Sequence, residues 1–203
     1  MEGKTRGVIH QPTAFVKFWL LVSSVIVIWD FSFIFLRRWS LTSQGGVLSA
    51  LWPGYDLYEF VDLNYSAKYW LDNRGFPLAQ STLNVLEDIL NFSYLYLVHQ
   101  SDPAYRAVAP IVGFSGVLMT FSKTLLYFLC DYYCGWCESG HNDWSTWIFL
   151  YALPNGFWII CPGYLTLYFG REIAALLTAA AGIVDSPFAA EDVKAAQKSK
   201  KSK

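Results

Sequence analysis

The chain has 203 residues, of which 54% are hydrophobic and 18% aromatic, with a mean hydropathy of +0.30. A soluble domain could not cover that much apolar surface, and a formal net charge of −1 gives no bulk field toward nucleic acid or anionic substrates. The charges collect at the two ends and in the connections, leaving long apolar runs between them, the pattern of membrane spans.

Lys4, Arg6 and Lys17 form a basic lead to the apolar run Phe18 to Leu36. The run is too long for a signal-peptide core and lacks a small-x-small cleavage site, so it is read as a retained span. Spans are predicted at about 18–36, 78–98, 107–129 and 146–170, each near the ~20 residues that a bilayer core requires. The expected fold is an all-α, four-transmembrane-helix bundle. Residues 1–17 form a short N-terminus, 18–172 the membrane domain, and 173–203 a tail that is disordered at its end.

The segment 37–77 is a long connection with turn signals at Gly45-Gly46 and Pro53-Gly54. Its Trp52, Tyr55, Tyr58, Tyr65, Tyr69 and Trp70 suit a segment lying at headgroup level. The second span is the least apolar. Its Asn84, Glu87, Asp88 and Asn91 recur at three- and four-residue spacing, which places them on one helical face turned into the bundle.

Four spans put both termini on one side. The ends hold nine basic residues and the link 130–145 none, so the termini are expected in the cytosol, with Arg37 and Arg38 counting against that orientation. Asn64-Tyr65-Ser66 is a glycosylation sequon on the expected luminal side. Lys200-Lys201-Ser202-Lys203 is similar to a di-lysine retrieval signal of the endoplasmic reticulum, and equally to a plain solvated basic tail.

Ionisable groups at membrane depth persist mainly where they face a cavity or each other. A rise of ~1.5 Å per residue places Asp30 and Lys123 ~9 Å, and Glu87 and Asn155 ~13 Å, from the expected luminal ends. All four helices thus send a polar group to a similar level. Such a layer could bind the hydroxyl or amine of an apolar ligand, or it could transfer protons. Trp158, one turn beyond Asn155, could face a cation. The bland alternative is a buried acid–lysine pair that only holds helices together, and Lys123 is the residue read in that way. Pro154 and Pro162 interrupt backbone bonding in the last span.

Cys130, Cys134 and Cys137 with His141 have a spacing that admits zinc, but in an oxidising lumen a disulfide is the better reading. Cys161 reads as helix packing, and His10 and His99 as interfacial residues.

The run Leu126-Tyr127-Phe128-Leu129 and the link Glu138-Ser139-Gly140-His141 resemble blocks of the emopamil-binding protein family, also called the EXPERA domain family. So do Asn155-Gly156-Phe157-Trp158 followed by Cys161-Pro162-Gly163, and Glu87 in the second span. The resemblance covers about residues 18 to 172. The family includes the sterol Δ8-Δ7 isomerase and the sigma-two receptor. It implies four helices around a sterol or sterol-like lipid, in the endoplasmic-reticulum membrane, with cationic amphiphilic ligands and a homodimer also in keeping. It implies no cofactor, metal ion or nucleic acid.

Carried over, Asp30 and Glu87 take the places of the proton-transferring acids, and Asn155, Trp158, Asn91 and Tyr127 those of substrate-binding residues. Two departures matter. Ile26 stands where the isomerase has a histidine, and the isomerase's extra N-terminal span is not among the four predicted here. The combination of Asp30 on the first span and Glu87 on the next is more similar to the sigma-two receptor. The C-terminal blocks favour the isomerase and the missing histidine the receptor; the expected function is a sterol isomerase-type activity, with a non-catalytic sterol or lipid sensor or chaperone as the alternative.

Overall fold

The computed structural model describes residues 10–183 together with Pro187; Lys4, Arg6 and the di-lysine ending lie outside them. The described residues are helical, without strands. Four long helices dominate: α1 (Ala14–Phe35), α5 (Gly75–Val98), α6 (Pro103–Tyr133) and α8 (Leu153–Ala180). Short helices α2 (Arg37–Ser40), α3 (Tyr55–Val61) and α4 (Ala67–Leu71) lie in the first connection. A single turn, α7 (Trp144–Thr146), leads through a π-helical turn at Trp147–Ala152 into α8.

Local chemistry sets the boundaries. Thr13 caps α1 by accepting from the Val16 N–H, so the helix begins four residues before the apolar run that predicts it. Asp102 caps α6, with Pro103 at the position where a missing N–H is harmless. At the far end of α6, the Gly135 and Trp136 N–H groups bond back to the Tyr132 and Asp131 carbonyls, with Gly135 at φ +77°. Glycine is suited to this left-handed closing residue. The run Ile173–Ala180 contains no Gly or Pro and continues α8, so the helix reaches into the segment expected as tail.

Three helices are long and apolar enough to cross a membrane: Ala14–Phe35, Pro103–Tyr133 and the continuous Trp144–Ala180. By length and composition this is a membrane protein. The remaining long helix, α5, packs between α1 and α6, and α6 packs between α5 and α8. Asn84, Glu87, Asp88 and Asn91 of α5 are all buried, as their spacing predicts.

The α5–α6 contact is close because α6 presents Gly113 and Gly116 there. A Cβ at Gly113 would lie 2.7 Å from Phe169 and 2.8 Å from Tyr94, and one at Gly116 2.6 Å from the Asn91 amide oxygen. Within a bilayer, association rests on such van der Waals fit, since lipid is as apolar as the side chains. Tyr94, Phe169, Leu165, Val16 and Leu20 form the core here. His10 closes it. Its ring, 1% exposed, contacts the Tyr94 hydroxyl at 2.8 Å and the Glu172 carboxylate at 2.6 Å, so it is a buried tie between elements, where the sequence reading had an interfacial residue.

At the opposite end, the segment 37–77 folds into a cover over the bundle. Trp52 donates its indole N–H to the Trp29 carbonyl at 2.8 Å, and Trp29 donates to the Leu51 carbonyl at 2.8 Å. Arg37 is buried and donates to the Asn64 carbonyl. The link after α6 clasps the cover from outside. The Leu63 N–H donates to the Glu138 carbonyl at 3.1 Å, His141 donates from Nε2 to the Phe60 carbonyl at 2.6 Å, and the Asn142 amide donates to the Val61 carbonyl at 2.7 Å. Asn64 of the sequon is 4% exposed within this cover, so the folded chain has no room for a glycan there.

Candidate functional site

Beneath the cover lies a cavity of about 400 Å³. Four long elements and the cover build its wall. Helix α1 contributes Ile26, Val27, Asp30 and Ile34; α5 contributes Pro77, Gln80, Ser81 and Asn84; and α6 contributes Lys123, Thr124 and Tyr127. The last span adds Leu150, Pro154, Asn155 and Trp158, and the cover adds Tyr55, Tyr58, Asn64 and Tyr65. The volume falls in the range of small-molecule pockets, which combine apolar walls with a few placed polar groups.

Asp30 is held by phenols from the cover. Its Oδ1 accepts from the Tyr55 hydroxyl at 2.6 Å and the Tyr65 hydroxyl at 2.9 Å. Burial, together with the adjacent Asp30 charge, pushes both phenols above their usual range, so they remain donors. The other oxygen, Oδ2, lies 3.1 Å from Tyr65 and leaves Asp30 able to take a further donor from the cavity.

Glu87 is placed differently. It is 1% exposed and forms an ion pair with Lys123 at 2.7 Å, and Lys123 also bonds the Asn84 amide oxygen. Lys123 and Asn84 reach the cavity wall, whereas Glu87 does not. Asp30 and Glu87 therefore have separate partners instead of facing each other across the cavity. Asn91 also lies off the wall, donating to Ser24 Oγ at 3.1 Å inside the α1–α5 contact.

Asn155 and Trp158 reach the wall through an irregular turn. In a regular helix the ring of Pro154 would collide with the Leu150 carbonyl. The π-helical turn Trp147–Ala152 widens the backbone just before it, and the Asn155 amide donates to the Tyr151 carbonyl at 2.8 Å. The ring of Trp158 packs against Trp19 of α1, with centroids 5.8 Å apart.

Tyr127 lines the cavity and donates to Asp62 Oδ2 at 2.5 Å. Asp62 is fully buried, and desolvation lifts its carboxyl to about 7 against the opposing hydrogen bonds from Tyr127 and Asn64. Arg37 sits in the same polar layer, where burial lowers its pKa against the attraction of Tyr65, Tyr127 and Asp62. Sequence reasoning missed Tyr55, Tyr65, Asp62 and Arg37 as parts of the site. The available signal was the run of aromatics with interspersed acids, which reads equally as an interfacial segment.

Of the cysteines considered for zinc, Cys134 and Cys137 are joined in a disulfide, Cys130 is a free exposed thiol, and His141 is engaged by the Phe60 carbonyl. Comparison with protein-family models, curated proteins and solved structures returned no match.

Proposed function

We propose that this chain is a four-span membrane protein that binds a sterol or sterol-like lipid in the cavity beneath the cover, without acting on it, in the manner of a lipid sensor or chaperone. The supporting observation is Asp30, held by Tyr55 and Tyr65 at the wall of a cavity whose other surfaces include Ile26, Val27, Leu150 and Trp158. A ligand hydroxyl or amine meets the carboxylate, and the apolar body lies along these side chains. Cationic amphiphiles suit the same site, since a charged donor to a carboxylate is the stronger bond.

The fourth span in this reading is α5, whose 24 residues turn their acids and amides inward and present Leu78, Leu86, Ile89 and Phe92 outward. The exposed Leu57, Phe60 and Leu71 of the cover suit headgroup depth. The location proposed is the endoplasmic-reticulum membrane, with both termini cytosolic and the cover on the luminal face.

A competing reading, an isomerase that shifts a ring double bond by acid and base, draws support from Asp30 and Trp158 lining one cavity. It lacks another free acid there, because Glu87 is engaged by Lys123, and Ile26 offers no proton. The two readings separate in a yeast strain lacking its own sterol isomerase. Under the binding reading Δ8-sterols continue to accumulate with the protein present in the membrane, while the purified protein retains a radiolabelled sterol or cationic amphiphile and Asp30→Asn releases it. Conversion of the Δ8-sterol would establish the enzyme, and purified protein that retains neither probe would end the binding reading.

A further inference from the structure

The Cys134–Cys137 disulfide plays no part in the proposed ligand site, although it lies in the link that holds the cover down. It spans Cys-Gly-Trp-Cys, directly after α6. A ring this small restricts the unfolded chain little, since the entropic gain of a disulfide grows with the loop it closes. Both cysteines are exposed, so an external thiol has access to the bond.

The surroundings suit exchange. The Cys137 N–H points at Cys134 Sγ at 3.2 Å, a donor that favours a thiolate on Cys134 once the bond opens. Glu138 Oε1 lies 3.6 Å from Cys137 Sγ, and burial raises the pKa of that carboxyl. Trp136, between the two cysteines, sits at φ +60°, a conformation uncommon for a residue with a side chain.

We propose that Cys134 and Cys137 form a thiol–disulfide exchange site for small thiols or dithiol proteins, and that its redox state sets how firmly the link clasps the cover. An incoming thiolate attacks one sulfur. Its new S–S bond forms as the Cys134–Cys137 bond breaks, and the departing thiolate takes a proton from water. A second external thiolate then attacks the external sulfur of this mixed disulfide; the bond to the protein sulfur breaks, an external disulfide leaves, and the released protein thiolate takes a proton from water, giving two protein thiols. Two electrons have passed from the external thiols to the protein, and the reverse sequence restores the bond. The residue after Cys137 is Glu138, whose carbonyl receives the Leu63 N–H, so the exchange occurs beside the clasp itself.

The test uses the full chain in native membranes with Cys130→Ser and Cys161→Ser, so that only the pair can react. Samples equilibrated in glutathione buffers of graded ratio are acid-quenched, labelled with a polyethylene-glycol maleimide and resolved on gels. The expected result is a reversible passage from zero to two labels in one two-electron step. Trypsin cleavage at Lys68 and Arg74 of the cover should be several-fold faster in the reduced form. A Cys134→Ser/Cys137→Ser variant should be cleaved at the faster rate in every buffer, and Cys137→Ser alone serves if that variant does not accumulate. A pair that reacts only after denaturation, or a cover cleaved equally fast in both redox states, overturns the proposal.

Discussion

Lys123 and Glu87 meet at 2.7 Å inside the bundle, yet only the lysine reaches the cavity wall. Their pairing separates the stability of the bundle from its ligand chemistry. Removing one partner of a buried pair leaves the other charge uncompensated, which costs about 3–5 kcal/mol, whereas replacing both with apolar residues is often neutral. Glu87→Gln is therefore expected to lower the thermal midpoint in detergent sharply, and Glu87→Leu/Lys123→Met to recover most of it. A Glu87→Gln protein with an unchanged midpoint and lost ligand binding would instead make Glu87 a ligand contact.

Asp30 should behave in the opposite way. Hydrogen bonds to charged groups are worth about 1.5–3 kcal/mol, so Asp30→Asn is expected to weaken a cationic amphiphile by about 10- to 150-fold. Tyr55→Phe and Tyr65→Phe remove one neutral phenol each and should have smaller effects, near 0.5–1.5 kcal/mol. Competition binding on purified protein measures all three, and equal affinities for wild type and Asp30→Asn would place the ligand elsewhere.

The buried carboxyl of Asp62 makes the cover sensitive to pH. Its pKa is raised in the folded chain, from 3.8 to about 7, so the folded state holds a proton that the unfolded chain has already released. The contribution is complete below about 4 and is lost as pH rises through about 7. Thermal midpoints should therefore decline across that window in wild type. In Asp62→Asn, which keeps the acceptor for Tyr127 without the titration, this decline should flatten. Identical profiles for the two proteins would remove Asp62 as the cause.

Gly113 tests the close helix contact directly. An added Cβ meets the rings of Phe169 and Tyr94 at under 3 Å, and overpacking of this kind costs about 1–3 kcal/mol. Gly113→Ala should unfold at lower temperature. Gly156→Ala is the control, since a Cβ there meets nothing within 4 Å, and it should match or exceed the wild-type midpoint.

Much of the bundle was legible because helical periodicity survives in the sequence. Asn84, Glu87, Asp88 and Asn91 fall on one face at any reading, and that face is buried. The expected height of each polar group follows from the fixed rise per residue, and Asp30, Lys123 and Asn155 line one cavity. Rotation about the helix axis was not legible. Glu87, expected at a similar level to Asp30 and Asn155, is turned to Lys123 and away from the cavity wall. The cover was the least legible part. Its 3-10 turns and short helices have no period, and a tyrosine that hydrogen-bonds Asp30 has the same sequence signature as one resting among headgroups. Arg37 shows the same ambiguity: counted from sequence as a basic residue on the luminal side, it lies inside the fold and donates to the Asn64 carbonyl.

The widened turn before Pro154 has a consequence for how this wall could be altered. A π-helical turn accommodates one residue more than the regular spiral, and each residue advances the helix by about 100°. Deleting a single position within Trp147–Ala152 would let the backbone close into an ordinary spiral while Trp147 stays anchored to Ser139. Everything downstream would then keep its facing, with Asn155 and Trp158 still on the wall, whereas closing the turn with no residue removed would swing both off it by about 100°. The identity of the cavity's fourth side thus depends on one extra residue held in a turn that itself supplies Leu150 to the wall.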